Sequence, residues 1–253
     1  MERFLSRESE DVEEYKGIEK LKIGILGISS GVGTSFLTTS MGRYFANTRK
    51  YNPAVVELGN HSIFDSIGMD KRFAGREFFS FYRALNEGRS IRGKKNMDEG
   101  INWVIKSPEE SSMKINVAQK FRLANNAMGD IVLCDLSGCG KEYLQLLENM
   151  DYSIVVIDPL PSKMLMGYET LQGVRALNLS GYSIIYVVNK YNKGVNRRQM
   201  LDFLKIKKPI YLPMINIENI YTAEYICKIP YSIEQIKRQL QEPIREIIGR
   251  LGI

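Results

Sequence analysis

Short, continuous runs of Val, Ile and Leu alternate along most of the chain with stretches whose apolar positions recur at helical spacing. Such runs are typical of strands that are buried on both faces of a parallel sheet. The predicted strands are residues 21–27, 53–58, 101–107, 130–138, 152–159, 182–190 and 209–214. The predicted helices are residues 34–48, 75–89, 115–127, 141–150, 163–179, 196–205 and 232–253. The pattern predicts an α/β protein, a three-layer α/β/α sandwich around a mostly parallel, doubly wound sheet.

The start of the chain differs from the rest. Residues 1–19 are polar and lean acidic, which predicts an N-terminal arm that is either mobile or a short helix docked on the body. From residue 20 to residue 253 the alternation continues without an internal repeat, a low-complexity segment or a clear boundary. We therefore expect one domain over residues 20–253.

Composition excludes several classes of protein. The net charge of +6 is modest and does not favour nucleic-acid binding. Three cysteines without paired spacing argue against a disulfide framework, and a single histidine, His61, argues against a zinc cluster or a histidine-based triad. The charged N-terminus lacks the apolar core of a signal peptide, and no apolar stretch reaches membrane-spanning length. We therefore expect a cytoplasmic protein.

The stretch GISSGVGTSF, residues 27–36, joins the first predicted strand to the first predicted helix. Glycines at Gly31 and Gly33 let the backbone approach a ligand closely and turn several N–H groups toward it. The start of the following helix adds positive potential, and Ser35 lies where a hydroxyl can hold Mg²⁺. The pattern predicts a phosphate-binding loop. A glycine-rich turn that serves only close packing stays open as the alternative.

A second candidate lies in DIVLCDLSG, residues 130–138. Asp135 ends a buried strand, where a carboxylate can hold Mg²⁺ directly or through water. Gly138, three residues later, permits a turn that can sense a terminal phosphate. An aspartate that only caps the next turn is the alternative.

These segments, taken in order, resemble the ParA/MinD family of P-loop proteins. SSGVGTSF resembles that family's deviant Walker A loop, and DIVLCDLSG resembles its Walker B strand and switch II. VVELGNHS falls where switch I follows the second strand, and YVVNKYN is similar to the strand that ends in a base-contacting asparagine. The segment PIYLPMINIENIYTAEYICKIPY resembles the family's closing strand, proline and acidic turn.

The resemblance implies a P-loop NTPase-like fold that binds ATP or ADP with Mg²⁺. The implied metal ligands are Ser35 and Asp135. The implied nucleotide-binding residues are Ser30, Gly31, Val32, Gly33, Thr34, Ser35, Phe36, Gly138, Asn189 and Pro213.

The departures from the family fall on the residues that carry its chemistry. Thr34 replaces the P-loop lysine, Ser29 replaces the signature lysine, and Gly59 replaces the switch I aspartate. Losing one charged contact to a developing oxyanion costs about 3 kcal/mol, so we expect hydrolysis to fall to a trace while weak binding survives. Lys141 or Lys190 could substitute for the missing charge, although a solvated surface position is the favoured interpretation of both.

The resemblance favours a degenerate ParA/MinD-like protein, similar to the TadZ and CpaE branch, that recruits or positions a protein assembly of pilus or secretion type. A protein partner is expected, and a homodimer is compatible with the family. A slow ATPase and a scaffold that binds no nucleotide stay open as alternatives.

Two apolar segments admit either a core or a surface role. The last predicted helix carries an apolar stripe interleaved with basic side chains, which suits either core packing or peripheral membrane contact. Its glutamates and its lack of Phe and Trp favour core packing. The aromatic cluster Phe78, Phe79, Phe81 and Tyr82 is likewise assigned to the core, with partner binding as the alternative.

Overall fold

The computed structural model describes residues 20–59 and 63–253. The predicted arm at residues 1–19 and His61 lie outside the described residues. One eight-stranded sheet has the order β3-β4-β2-β5-β1-β6-β7-β8, and every neighbouring pair is parallel except β3 and β4. The predicted α/β sandwich with a mostly parallel sheet is confirmed. The strands are β1 Leu21–Gly27, β2 Pro53–Glu57, β3 Met97–Asp98, β4 Ile101–Val104, β5 Ile131–Asp135, β6 Tyr152–Ile157, β7 Ile184–Tyr191 and β8 Ile210–Pro213.

Helices cover both faces of this sheet. They are α1 Thr34–Thr48, α2 Ile63–Ser66, α3 Met69–Arg72, α4 Phe81–Asn86, α5 Val117–Asn126, α6 Tyr143–Glu148, α7 Pro161–Met166, α8 Tyr168–Leu179, α9 Arg197–Leu204, α10 Ile217–Tyr225 and α11 Glu234–Leu251. Buried side chains of α1, α2, α3 and α11 belong to one apolar cluster, and those of α4, α5, α6, α8 and α9 belong to another. The sheet separates the two clusters.

The strands contribute side chains to both apolar clusters, and this explains why they are apolar at consecutive positions. In β1, Ile23 and Ile25 belong to the α1 and α11 cluster, whereas Leu26 belongs to the opposite one. In β2, Val55 and Val56 divide in the same way. Alternate side chains of a strand point to opposite faces, so a strand covered on both sides is apolar throughout.

The predicted helix over residues 75–89 is wrong at its start, since helix α4 covers only Phe81–Asn86. The side chain of Asn96 accepts a hydrogen bond from the Phe79 N–H at 2.7 Å and donates one to the Phe79 carbonyl oxygen at 3.0 Å. Both backbone groups of Phe79 are therefore used outside a helix. Phe81 and Tyr82 are buried and Phe78 and Phe79 are partly buried, so the core assignment of this cluster is confirmed.

Tertiary contacts also explain why other helices and strands begin or end at residues different from those predicted. The strand predicted over residues 101–107 ends at Val104, because the Lys106 N–H donates to the Glu57 carboxylate at 3.0 Å. The helix predicted over residues 163–179 is two helices that meet at Gly167, where an added Cβ would lie 2.7 Å from Ile28. Residues predicted as a turn form α10, which Asn216 caps by accepting from the Glu218 N–H at 3.0 Å.

Helix α11 packs on the sheet through its apolar stripe. Five of its side chains are at most 1 % exposed, and they are Ile236, Leu240, Ile244, Ile247 and Leu251. The predicted core role is confirmed, and the stripe is covered by the protein itself. Across residues 20–59 and 63–253, no helix combines the length and the apolar character needed to cross a membrane.

Candidate functional site

A cavity of about 820 Å³ opens at the carboxyl ends of the central strands. Its walls come from the loop between β1 and α1, from the turn after β5, from the start of α8 and from α10. The described lining includes the predicted site residues Ser30, Gly31, Gly33, Thr34, Ser35, Phe36 and Gly138. Ligands of doubly wound α/β proteins bind at this edge of the sheet.

The loop before α1 has the backbone of an anion cradle. Gly31 and Gly33 adopt φ of 73° and 96°, and α1 begins directly after Gly33 without a side-chain cap. The N–H groups of the first turn are therefore left for a ligand, and the helix dipole adds positive potential there. A Cβ on Gly33 would lie 2.3 Å from the side-chain nitrogen of Asn189, so only glycine fits. Val32 is 1 % exposed and packs in the core.

Asn189, which the resemblance places near a base, and Pro213, which it assigns to nucleotide binding, are not among the described residues that line the cavity. Asn189 is 4 % exposed, and its side-chain N–H donates to the Val32 carbonyl oxygen at 2.8 Å. The Asn189 amide therefore holds the loop between β1 and α1 in place at Val32. Pro213 ends β8 and pairs with Tyr191.

The Asp135 carboxylate has one oxygen engaged and one without a partner. Its Oδ1 accepts from the Ser137 N–H at 2.8 Å and from the Ser137 hydroxyl. Its Oδ2 is buried and has no hydrogen-bond partner within the described part of the chain. Burial raises the pKa of Asp135, and hydrogen bonding from Ser137 and from the Ser35 side chain opposes that shift. A buried, unpaired carboxylate oxygen is costly unless a ligand or a cation engages it.

Hydroxyl groups stand beside this carboxylate. The Ser35 Oγ lies 3.2 Å from the Ser137 Oγ, which in turn contacts Asp135. Oxygen atoms from one carboxylate, hydroxyls and water form the ligand type that Mg²⁺ prefers when it also contacts phosphate. The residues therefore fit a magnesium ion held by Ser35 and Asp135. Sequence reasoning missed Ser137, although its position two residues after Asp135 was a usable signal.

The cavity carries little positive charge. Lys141 is the one basic side chain among its described lining residues, against the acidic Glu169 and Glu224. Thr34, at the position of the missing lysine, is 5 % exposed. Lys190, the other lysine considered from the sequence, pairs with Asp158 at 2.9 Å. Backbone amides therefore supply most of the cradle's attraction for an anion.

The segment after β2 has no room for a side chain at residue 59. A Cβ on Gly59 would lie 1.8 Å from the Ser137 carbonyl oxygen. Glu57, two residues earlier, is 1 % exposed, and its two carboxylate oxygens accept from the N–H groups of Ile63 and Lys106, each at 3.0 Å. Its side chain anchors the polypeptide beside the site and does not line the cavity.

Comparison with known proteins identifies the fold of this chain. No protein-family model and no curated protein sequence matches the chain. Solved structures do match, including MinD from Pyrococcus horikoshii with Mg-ADP, at TM-score 0.68 and 12 % identity over 90 % of this chain and 96 % of that one. The chain has the MinD/ParA fold.

Two further structures share the MinD/ParA fold. A plasmid partition protein from Borrelia burgdorferi bound to AMPPNP has TM-score 0.66 and 20 % identity over 91 % of this chain and 99 % of that one. The MinC:MinD complex from Aquifex aeolicus has TM-score 0.67 and 12 % identity over 90 % of this chain and 96 % of that one.

Proposed function

We propose that this chain is a degenerate MinD/ParA-type protein that binds adenine nucleotide weakly and positions a protein assembly. One combination of features carries the proposal. The backbone of an anion cradle is present, whereas two residues at the positions of the family's catalytic side chains are different. The cradle is built on Gly31 and Gly33, and Asp135 directs an unpaired buried oxygen beside it. Thr34 and Gly59 stand where the family carries a lysine and an aspartate.

Binding follows from the groups that remain. Backbone amides of the loop and the start of α1 attract a phosphate, and Ser35 with Asp135 would hold Mg²⁺, which supplies charge neutralisation for the phosphates when bound. Without a cation at Thr34 or Ser29, we expect dissociation constants for ATP or ADP of about 0.1 to 1 mM. The Mg-ADP and AMPPNP in two structures of the same fold support this ligand class.

Loss of hydrolysis follows from the space around Gly59. Phosphoryl transfer depends on positioning and charge stabilisation, so it needs groups aimed at the attacking water and at the terminal phosphate. A side chain at residue 59 would overlap the Ser137 carbonyl oxygen, and Glu57 is committed to two backbone amides. We therefore propose that nucleotide acts as a bound ligand with turnover at trace level.

A partner-binding role is supported by α10. Its side chains Ile217, Tyr221 and Tyr225 recur four residues apart and are 58 %, 58 % and 84 % exposed. The same helix lines the cavity with Ile220 and Glu224. One helix therefore joins the cavity to an apolar surface of the kind that marks interaction sites. The MinC:MinD complex shows this fold with a protein partner, and we propose a pilus- or secretion-type assembly or a second copy as the partner here.

The metal site can be tested with Asp135→Asn, which keeps the side-chain shape and removes the charge. Titration calorimetry with ADP should show that Mg²⁺ strengthens binding to the wild type about tenfold and no longer does so in the variant, because the carboxylate oxygen is gone. Asp202→Asn on the exposed face of α9 is the matched control. Unchanged Mg²⁺ dependence in Asp135→Asn would place the metal elsewhere.

The same variant makes a stability prediction without metal. Because burial raises the pKa of Asp135, the folded wild type takes up a proton at higher pH than the unfolded chain does, and its stability gains from this group as pH falls. Asp135→Asn should therefore unfold at a higher temperature than the wild type near neutral pH. The difference should shrink as the pH falls and Asp135 takes up its proton, measured by differential scanning fluorimetry in EDTA. A gap that widens toward acid contradicts the buried charge.

The positioning role can be tested in the native cell with a fluorescent fusion. The wild type should form discrete foci at the site of its assembly. A double variant, Tyr221→Ser with Tyr225→Ser, should be diffuse, because it removes two exposed rings and leaves the cavity wall intact. Its nucleotide affinity should stay within about twofold of the wild type. Foci that persist in the double variant would exclude α10 as the docking surface.

A further inference from the structure

Three consecutive carbonyl oxygens of the loop each accept a hydrogen bond from a side chain far away in sequence. The Lys163 ammonium donates to the Ser30 oxygen at 2.8 Å, and the Lys190 ammonium donates to the Gly31 oxygen at 2.7 Å. The Asn189 amide donates to the Val32 oxygen at 2.8 Å. The outer side of the loop is therefore fixed at residues 30, 31 and 32 by α7 and β7.

Each of these carbonyls belongs to the same peptide unit as the next residue's N–H group. The N–H groups so linked are those of Gly31, Val32 and Gly33, in the segment that forms the cradle. Electron delocalisation joins the oxygen and the N–H of one peptide unit, so a cation bonded to the oxygen makes the N–H a stronger donor. A hydrogen bond from a charged donor has a larger effect than one from a neutral donor.

The two lysines differ in whether a carboxylate compensates their charge. The Lys190 ammonium also contacts the Asp158 carboxylate at 2.9 Å, and Asp158 is 6 % exposed, so the pair is nearly neutral. Lys163 is half-buried and makes no ion pair with any carboxylate in the described segments. Among the described residues, Lys163 therefore brings to the loop at Ser30 a positive charge that no carboxylate pairs with, and it is not one of the residues that line the cavity.

Resting on the nucleotide binding proposed above, we propose that Lys163 and Lys190 are positioning residues that hold the loop by its carbonyls. Lys163 in addition supplies through the backbone part of the positive potential that Thr34 and Ser29 no longer provide. The group that this potential attracts is the diphosphate portion of a nucleotide. The Lys163 ammonium thus acts through the peptide unit that it binds and does not contact the phosphate.

The test compares Lys163→Met with Lys163→Arg and with Lys193→Met, an exposed lysine shortly after β7 that matches the change in net charge. Titration calorimetry with Mg-ADP should show about 3- to 10-fold weaker binding for Lys163→Met, as expected for a charge several ångströms from the phosphates. The variant should also have a flatter salt dependence. Lys163→Arg should restore both properties, and Lys193→Met should leave both unchanged. Equal affinities of Lys163→Met and Lys193→Met would overturn the electrostatic role.

A second measurement separates this inference from the proposed function. Amide hydrogen exchange at residues 31–33, without ligand, should be about fivefold faster in Lys163→Met than in Lys193→Met, because the loop loses one of its fixed carbonyls. If the wild type binds no nucleotide, the proposed function fails and the electrostatic role fails with it. Faster exchange in Lys163→Met would then still support the structural hold on the loop, and unchanged exchange would overturn that as well.

Discussion

Replacing Gly59 with alanine should destabilise the folded protein by about 3 kcal/mol, or roughly 6 to 12 °C in melting temperature. The added Cβ would lie 1.8 Å from the Ser137 carbonyl oxygen and 3.2 Å from the Cys139 sulfur. Backbone atoms cannot rotate away, so the segments after β2 and β5 must separate. Chemical denaturation of the wild type and the variant, analysed as a two-state transition, measures the difference.

Gly249→Ala is the control for this substitution. Gly249 lies in the exposed last turns of α11, and nothing approaches within 4 Å of an added Cβ there. Alanine should stabilise the protein by about 0.5 to 1 kcal/mol at this helical position. Similar small effects of the two substitutions would show that the Gly59 contact does not exist in solution. An aspartate at residue 59 should cost at least as much as alanine and restore no hydrolysis.

Thr34→Lys should strengthen the binding of ATP and ADP by about 10- to 100-fold, the range of one charge-assisted hydrogen bond to phosphate. Thr34 opens α1 and lines the cavity, so a lysine there starts at the cradle. Affinity for AMP should change little, because the added cation reaches the outer phosphates. Phosphate release should remain at background, since Gly59 supplies no side chain to orient water.

Thr48→Lys is the matched control, because it adds the same charge at the other end of the same helix. Its nucleotide affinity should equal that of the wild type within about twofold. If Thr34→Lys behaves like Thr48→Lys, phosphate is not held at the start of α1. Measurable hydrolysis by Thr34→Lys would instead show that a water-positioning group exists elsewhere in the site.

The cradle could be predicted from the sequence because its parts are contiguous. Gly31 and Gly33 lie in the connection between β1 and α1, Ser35 is the second residue of α1, and a positive φ at the two glycines is a local property of glycine. Asp135 could be predicted as well. A polar residue that ends an apolar parallel strand lies at the carboxyl ends of the strands, where β1 also ends. These inferences needed only periodicity and the direction of parallel strands.

Residues that act through contacts between distant segments could not be predicted in the same way. Lys163 and Asn189 lie 133 and 157 residues from the carbonyl groups that they bind. The expectation that Asn189 contacts a base came from the resemblance of YVVNKYN to the ParA/MinD family. Its partner depends on how closely β7 approaches the loop, which no local pattern records.

The layer architecture, the place of the loop and the absence of lysine at residues 29 and 34 follow from the sequence alone, because residue identity and periodicity are properties of the chain. Tertiary packing fixes which distant side chains bind the carbonyls of the loop and which space beside it is closed. Lys163 reaches Ser30, and Gly59 meets Ser137, only because the sheet order sets β2 beside β5 and β1 beside β6. Distances of a few ångströms between such segments depend on packing, and packing is a property of the whole fold.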